Sequence, residues 1–262
     1  RIFKQTEDCS FDSKELASDF IRKTKSLSRH FATHRKTIID QLPIGNITNV
    51  MEFGAESGLL SRYLGEKFDN VVSLETNLDF AEAAKIRCSD LTSVTVLTNP
   101  KDVFESQQLF ELVIFSSDSS QWHHQKMSFE KLVGLIDKSI NLLAPGGIFI
   151  LLFDNPLSAI GHLSSGSTLG FNDSTTPDEL QSLAADTVIS FLKTRKLSNT
   201  RKFYVFPHHN APKVILTQEA ESRNLRAFGY WAASTLKIGD NDVATVNVLG
   251  EFSKAGQIGL LA

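Results

Sequence analysis

A short acidic glycine loop is the part of the sequence best suited to holding a small ligand. Residues 52–58 read Glu-Phe-Gly-Ala-Glu-Ser-Gly and follow a run of apolar residues. Glycine allows a tight turn and the close approach of a ligand, because no Cβ stands in the way. The loop lacks the middle glycine of the G-x-G-x-x-G pattern that holds a pyrophosphate. It therefore favours a cationic, amino-acid-bearing ligand, with a plain strand-to-helix turn as the alternative.

A second acid, Glu75, stands at the end of the next apolar run, about 20 residues after the glycine loop. A carboxylate at this place can accept hydrogen bonds from both ribose hydroxyls of an adenosine ligand. A structural glutamate at a strand end is common, but the combination with the loop at this interval favours nucleoside binding.

Two histidine pairs are candidates for proton transfer. His123 and His124 follow the fourth apolar run, and His208 and His209 lie later in the chain. The pKa of histidine lies near neutral pH, which suits a general base. Solvent-facing loop histidines are the alternative reading of both pairs. Their spacing is not that of a metal site, and no metal is predicted.

The elements that must position these residues are read from apolar periodicity. Apolar strands that alternate with amphipathic helices predict a doubly wound α/β domain with a mostly parallel sheet. The predicted strands are 49–53, 71–74, 94–97, 112–115, 148–152, 203–206, 213–216, 243–249 and 258–261. The predicted helices are 11–41, 58–67, one through 81–85, 131–143 and 177–193, with a turn at 144–147.

The pattern also predicts a boundary near residue 44. Residues 1–44 form an N-terminal helical extension, and residues 45–262 form the ligand-binding domain. Between Arg22 and Lys36 lie six Lys or Arg, two His and no acid. A solvated helix face explains such a run, and so does contact with an anionic partner.

Composition excludes several classes of protein. The formal net charge of −3 argues against bulk nucleic-acid binding, and 41% hydrophobic residues are ample for a core. Two cysteines cannot make a disulfide framework, and no apolar run could span a bilayer, so we expect a cytoplasmic protein. The chain begins with Arg1 rather than Met, and we therefore expect a domain of a longer protein.

These features, together with Ala-Pro-Gly-Gly at 144–147 before the fifth strand, resemble the class I S-adenosylmethionine-dependent methyltransferases over roughly residues 45–155. The resemblance implies a Rossmann-like sheet of seven strands. It implies a site for S-adenosylmethionine made by Glu52, Gly54, Ala55, Gly58, Glu75, Thr76, Asn99 and Ser116.

The resemblance also implies a role for several of these positions. Glu52, Gly54 and Gly58 would line the methionine side of the cofactor, and Glu75 would hold the ribose. Asn99 stands where the family often has an Asp that contacts the adenine amine, and Glu111 stands for the Asp that opens the fourth strand. His123 or His124 would be the catalytic base for a hydroxyl acceptor.

A narrower similarity concerns the acceptor. Residues 153–158 (Phe-Asp-Asn-Pro-Leu-Ser) and 203–212 (Phe-Tyr-Val-Phe-Pro-His-His-Asn-Ala-Pro) resemble methyltransferase domains linked to bacterial surface-polysaccharide and O-antigen assembly. Both segments match in part. The similarity implies a sugar, nucleotide-sugar or glycan acceptor and a multidomain parent chain.

Three functions are compatible with the sequence. The first is a methyltransferase acting on such an acceptor, and the second is a catalytically silent scaffold module of a glycan-assembly protein. The third is a nicotinamide-dependent oxidoreductase, which the glycine spacing disfavours. Cofactor binding with an acceptor-dependent product separates the first from the second, and titration with reduced nicotinamide tests the third.

Overall fold

The computed structural model describes residues 35–42, 45–116, 129–152, 185–195, 197, 199–201, 203–206, 214–217 and 260–261. The chain divides into two compact units, residues 1–152 and 153–262. Nearly all of the predicted N-terminal helical extension lies outside the described residues.

A five-stranded sheet forms the centre of the first unit. Its strands are β1 (Asn49–Phe53), β2 (Asn70–Leu74), β3 (Val94–Leu97), β4 (Phe110–Ser116) and β5 (Leu143–Leu152). Their order is β3-β2-β1-β4-β5, and every neighbouring pair is parallel. This arrangement is the doubly wound α/β fold that the sequence predicts. The predicted seven strands are not confirmed, since the sheet in the described part of this unit has five.

The strands are mostly apolar because the sheet interior is buried. Val50, Met51 and Phe53 of β1 and Leu112 and Ile114 of β4 are fully buried. Parallel strands covered on both faces show such runs rather than an alternation of apolar and polar residues.

Five helices connect or precede these strands in the described part of the first unit. They are α1 (Lys36–Asp40), α2 (Leu59–Lys67), α3 (Leu78–Arg87), α4 (Pro100–Phe104) and α5 (Phe129–Ile140). Asn77 caps α3, since its side chain accepts hydrogen bonds from the backbone of Asp79 (3.0 Å) and Phe80 (3.2 Å). The sequence did not predict α4, because a helix this short leaves no periodic pattern.

The predicted turn at residues 144–147 lies inside β5 instead of before it. Phe110 pairs with Leu143, but Leu112 pairs with Ile148, so the register shifts where the extra residues loop out. Gly146 has a φ of +79°, a left-handed conformation that glycine adopts without strain. The turn is therefore a bulge in β5, and the pairing of β5 with β4 continues on both sides of it.

The second unit contains a separate, smaller sheet. Its described elements are α6 (Ala185–Lys193), β6 (Phe203–Phe206), β7 (Val214–Thr217) and β8 (Leu260–Leu261). The sheet is antiparallel in the order β7-β6-β8. The predicted strand 243–249 and the first half of the predicted helix 177–193 lie outside the described residues. None of the described helices is long and apolar enough to cross a membrane.

Candidate functional site

Strand register brings the glycine loop and Glu75 to the same edge of the sheet. Phe53 at the end of β1 pairs with Leu74 at the end of β2 and with Phe115 in β4. The backbone N–H groups of Gly54 and Ala55 both donate to the Leu74 carbonyl, at 3.0 and 3.2 Å. The carboxyl edge between β1 and β4 is where the strand order reverses, and ligands of open α/β sheets bind at this point.

Three residues of the loop have left-handed backbone conformations. Gly54 has a φ of +90°, Glu56 of +48° and Gly58 of +77°. The two glycines adopt such angles freely, whereas a residue with a Cβ pays roughly 1–2 kcal/mol. Glu56 is therefore strained, at the middle position where the loop departs from a repeated glycine pattern.

Gly58 is required for helix packing. A Cβ on this residue would lie 2.6 Å from the Cα and 2.8 Å from the Cβ of Ala84 in α3. Such distances are far inside van der Waals contact, so α2 can begin close to α3 only with glycine here. Packing of α2 against α3 therefore explains why glycine is needed at position 58, independently of its predicted contact with a ligand.

Glu75 is the centre of the hydrogen-bond network at this edge. Its Oε2 accepts from the Glu56 N–H at 2.8 Å, and its Oε1 accepts from the Asn77 N–H at 2.9 Å. The pKa of Glu75 is raised to about 7, with burial as the largest cause; the charges of Glu56 and Glu52 also raise it, and the two backbone hydrogen bonds lower it. An ionised carboxylate has about four lone-pair positions. Each oxygen therefore keeps capacity for one more donor, as a pair of adjacent hydroxyls would require.

Glu52 joins the end of β1 to α2 and to β2 through two buried hydrogen bonds. It is 2% exposed, and its Oε2 accepts from the hydroxyls of Ser61 (2.5 Å) and Ser73 (2.8 Å). Burial raises the pKa of Glu52, and the two hydroxyls and the charge of Arg35 oppose that rise. The sequence did not single out Ser61 or Ser73, since neither stands in a motif. The predicted contact of Glu52 with the methionine side of a cofactor stays a prediction.

A buried ion pair ties the loop to the chain before β1. Nη1 of Arg35, the residue preceding α1, lies 3.2 Å from Oε2 of Glu56, and both side chains are almost fully buried. Sequence reasoning missed both residues. The available signal was an acid at the middle of the loop, at a distance of 21 residues from its partner.

The remaining predicted cofactor residues lie along the same edge. Ala55 is buried in the loop, Thr76 follows Glu75, and Ser116 is the buried last residue of β4. Asn99 is exposed, and its side chain caps α4 by accepting from the Lys101 N–H at 3.1 Å and donating to Asp102 at 3.1 Å. Its proposed adenine contact would compete with this cap and stays a prediction.

Glu111 lies at the opposite, amino edge of the sheet. Its carboxylate accepts from the backbone of Asn49 at 2.6 Å and of Thr48 at 3.3 Å. These hydrogen bonds lower its pKa. The residue therefore braces the start of β1 against β4.

The candidates for the catalytic base are two histidine pairs. His123, His124, His208 and His209 lie outside the described residues. Within the part of the chain that the structure describes, no group of three or more His, Cys, Asp or Glu could hold a metal ion.

The loop and its acids are covered. Residues 51–60 are all buried, and Glu75 is 0% exposed.

The chain is similar to several solved methyltransferase structures. The N-methyltransferase NodS of Bradyrhizobium japonicum is 16% identical over 69% of this chain and 89% of its own, with a TM-score of 0.49. A putative methyltransferase of Pseudomonas syringae is 22% identical over 64% of this chain and 85% of its own, with a TM-score of 0.42.

A third similar structure is phosphoethanolamine N-methyltransferase 1 of Haemonchus contortus, in complex with phosphoethanolamine and S-adenosylhomocysteine. It is 18% identical over 54% of this chain and 29% of its own, with a TM-score of 0.40. No protein-family model matches the sequence, and a search of curated proteins found no match. With identities of 22% or less and TM-scores of 0.49 or less, the fold assignment rests on the strand order and register.

Proposed function

We propose that this protein binds S-adenosylmethionine and is an S-adenosylmethionine-dependent methyltransferase. One observation carries the proposal: Glu75, at the end of β2, is hydrogen-bonded to the left-handed glycine loop at the end of β1, where the strand order reverses. A carboxylate held by two backbone N–H groups has its free lone pairs in place for the two ribose hydroxyls of an adenosyl group.

The charge of the loop supports a cationic ligand over a pyrophosphate. The loop carries Glu52 and Glu56 beside Glu75, and no Lys or Arg lies within residues 52–58. Two arginines contact the loop: Arg35 is paired with Glu56, and Arg87 donates to the Ser57 hydroxyl at 3.3 Å. An acidic site attracts the sulfonium and ammonium groups of S-adenosylmethionine and repels the phosphates of a dinucleotide. When bound, S-adenosylmethionine supplies an activated methyl group on its sulfonium sulfur.

Calorimetry tests the cofactor proposal. S-adenosylmethionine and S-adenosylhomocysteine should bind in the micromolar range, and reduced nicotinamide dinucleotide should not bind. Glu75→Ala should weaken binding about 10- to 100-fold, roughly 1–3 kcal/mol, because the ribose hydroxyls lose a charged acceptor. Glu111→Ala, at the other edge of the sheet, is the matched control and should leave the affinity unchanged. Absence of heat with both adenosyl ligands would contradict the proposal.

A second function has one observation in its favour. The complete burial of Glu75 and of residues 51–60 favours a silent scaffold module, in which the fold is kept without a ligand. The same titrations separate the two functions. A scaffold gives no heat, and its thermal midpoint does not change when S-adenosylhomocysteine is added in excess.

For catalysis, we propose that His123 or His124 is the general base for a hydroxyl acceptor. Replacing the base with Ala should lower turnover roughly 10²- to 10⁴-fold and leave cofactor affinity nearly unchanged. Unaltered turnover in both single variants and in the double variant would remove these residues from the mechanism, and His208 and His209 would then be tested in the same way.

For the acceptor, we propose a sugar, nucleotide sugar or glycan that carries a negative charge. The basic run between Arg22 and Lys36 and a second group at Lys193, Arg195, Lys196, Arg201 and Lys202 carry much of the positive charge of a net acidic chain. Clustered cations favour an anionic acceptor, and salt screens this preference. Turnover of a sugar nucleotide should exceed that of its neutral analogue, and the difference should narrow between about 50 and about 300 mM salt. Equal turnover of the sugar nucleotide and its neutral analogue, at both salt concentrations, would contradict the proposal.

A further inference from the structure

Glu56 holds a conformation that its residue type disfavours. Its φ of +48° lies in the left-handed region, between Gly54 and Gly58, which have positive φ as well. A non-glycine residue persists in this region only where its surroundings hold it there, and such strain is concentrated at functional sites. The contacts of the Glu56 side chain should therefore include a group that stabilises this backbone conformation.

One group that holds it is Arg35. The Glu56 carboxylate and the Arg35 guanidinium form an ion pair of 3.2 Å, with side chains only 3% and 4% exposed. Glu56 lies in the loop after β1, and Arg35 precedes α1, so the pair joins two segments separated by 21 residues. In a buried pair each charge compensates the other, and removing one leaves the partner uncompensated.

The backbone of the same residue reaches the ribose-binding candidate. The Glu56 N–H donates to Glu75 Oε2 at 2.8 Å, and the Asn77 N–H donates to the other oxygen at 2.9 Å. The direction of the Glu56 N–H depends on its backbone angles, which the ion pair constrains. A continuous set of contacts thus leads from the Arg35 guanidinium to the Glu75 carboxylate.

We propose that Arg35 and Glu56 are a positioning pair that holds Glu75 in the orientation required by the ribose hydroxyls, an inference that rests on the proposed function. The segment preceding β1 thereby sets how strongly the cofactor site prefers ribose over 2′-deoxyribose. Arg35 acts through Glu56 and does not contact the ligand.

The test measures the ratio of the affinities for two ligands that differ in one ribose hydroxyl. S-adenosylhomocysteine and its 2′-deoxy analogue are titrated into the wild-type protein and into Arg35→Met, Arg35→Lys and Arg62→Met. The wild-type protein should prefer S-adenosylhomocysteine by about tenfold or more, because a buried charged acceptor pairs with the hydroxyl. In Arg35→Met the preference should fall below about threefold, and Arg35→Lys, which keeps the charge, should restore part of it.

Arg62→Met is the matched control. Arg62 is a buried arginine of the same unit that pairs with Asp90 and Glu66. Its loss should lower the thermal midpoint and leave the ligand preference at the wild-type value. A general structural effect would lower the affinity for both ligands equally, whereas the loss of positioning changes their ratio.

A double variant covers the case in which Arg35→Met does not fold. Arg35→Met combined with Glu56→Gly removes both buried charges and places glycine at the left-handed position, so it should fold. Its preference should stay below about threefold, because no ion pair then holds the backbone angles of residue 56. A wild-type preference in either variant would overturn the inference while leaving cofactor binding intact. Failure of the wild-type protein to bind either ligand would instead contradict the proposed function.

Discussion

The two edges of the central sheet shift the pKa of a carboxyl group in opposite directions. At the amino edge Glu111 accepts from the backbone of Asn49 (2.6 Å) and Thr48 (3.3 Å), and its pKa is lowered. At the carboxyl edge Glu75 also accepts from two backbone N–H groups, at 2.8 and 2.9 Å, yet its pKa is raised to about 7. The hydrogen bonds are of the same kind, so the difference comes from the surroundings.

Burial and like charge decide that difference. Glu75 is fully buried and lies close to Glu52 and Glu56, whereas Glu111 is partly exposed. Desolvation and neighbouring carboxylates penalise the charged form, and here they outweigh two hydrogen bonds that favour it. The amino edge is arranged for stability. The carboxyl edge keeps an unfavourable cluster of acids, which is expected where a fold holds a ligand.

The largest effect should follow from placing a side chain at Gly58, where α2 packs closely against α3. Gly58→Val should lower the free energy of unfolding by about 2–5 kcal/mol, because a side chain would meet the Ala84 backbone and strain the φ of +77°. Gly134→Ala is the control, since Gly134 in α5 has nothing within 4 Å of an added Cβ. It should be neutral or stabilising by up to about 1 kcal/mol. Urea unfolding measures both, and equal losses would show that the loop does not need glycine.

The pH dependence of stability should separate the two acids. The folded pKa of Glu75 is raised from 4.5 to about 7, so its contribution to stability is complete below pH 4.5 and is lost as pH rises through about 7. The loss should be about 2–3 kcal/mol in the absence of ligand. Glu111 has a lowered pKa, so its contribution is present above pH 4.5 and is lost only as pH falls below that value.

Urea unfolding between about pH 5.5 and about pH 8 measures this difference. Relative to the wild-type protein, Glu75→Gln should gain stability as pH rises across this range. Glu111→Gln should differ from the wild-type protein by a constant amount. If the stability of Glu75→Gln followed the wild-type curve throughout, the carboxylate would not be the group that titrates.

An intermediate effect should come from the hydroxyls that bind Glu52. The double variant Ser61→Ala/Ser73→Ala removes both donors to Glu52 Oε2 and should destabilise the fold by about 2 kcal/mol, because a buried carboxylate loses its partners. Ser139→Ala is the control. Ser139 is also fully buried, but its hydroxyl donates only to the Leu135 carbonyl one helical turn away. Its loss should be smaller than about 1 kcal/mol. Thermal unfolding at neutral pH compares the two variants, and similar midpoints would argue that the two hydroxyls do not stabilise the buried Glu52 carboxylate.

The smallest effect should arise at the amino edge. Glu111→Ala removes acceptors for the backbone of Thr48 and Asn49, in a position that water reaches, and should destabilise by about 1 kcal/mol. Urea unfolding measures this change. A loss well above that value would mean that the amino edge, and not only the carboxyl edge, depends on a single acid.

The sequence by itself determined where most of the strands lie and which loop is a candidate for holding a ligand. The predicted strands 49–53, 94–97 and 203–206 have the bounds of β1, β3 and β6. Apolar runs identify buried strands because burial acts residue by residue, and glycine identifies the turn because its conformational freedom is intrinsic. The glycine loop and Glu75 could therefore be singled out without knowledge of any contact.

Only the tertiary structure decided which residues meet. Strand order and register put Gly54 beside Leu74 and Glu75, and a separate sheet took β6, β7 and β8. The same holds for the Arg35–Glu56 pair, whose members lie 21 residues apart and whose geometry depends on helix placement. Local pattern carries no information about such partners, because many distant charges are compatible with one acid. Packing selects the partner that can be buried with it.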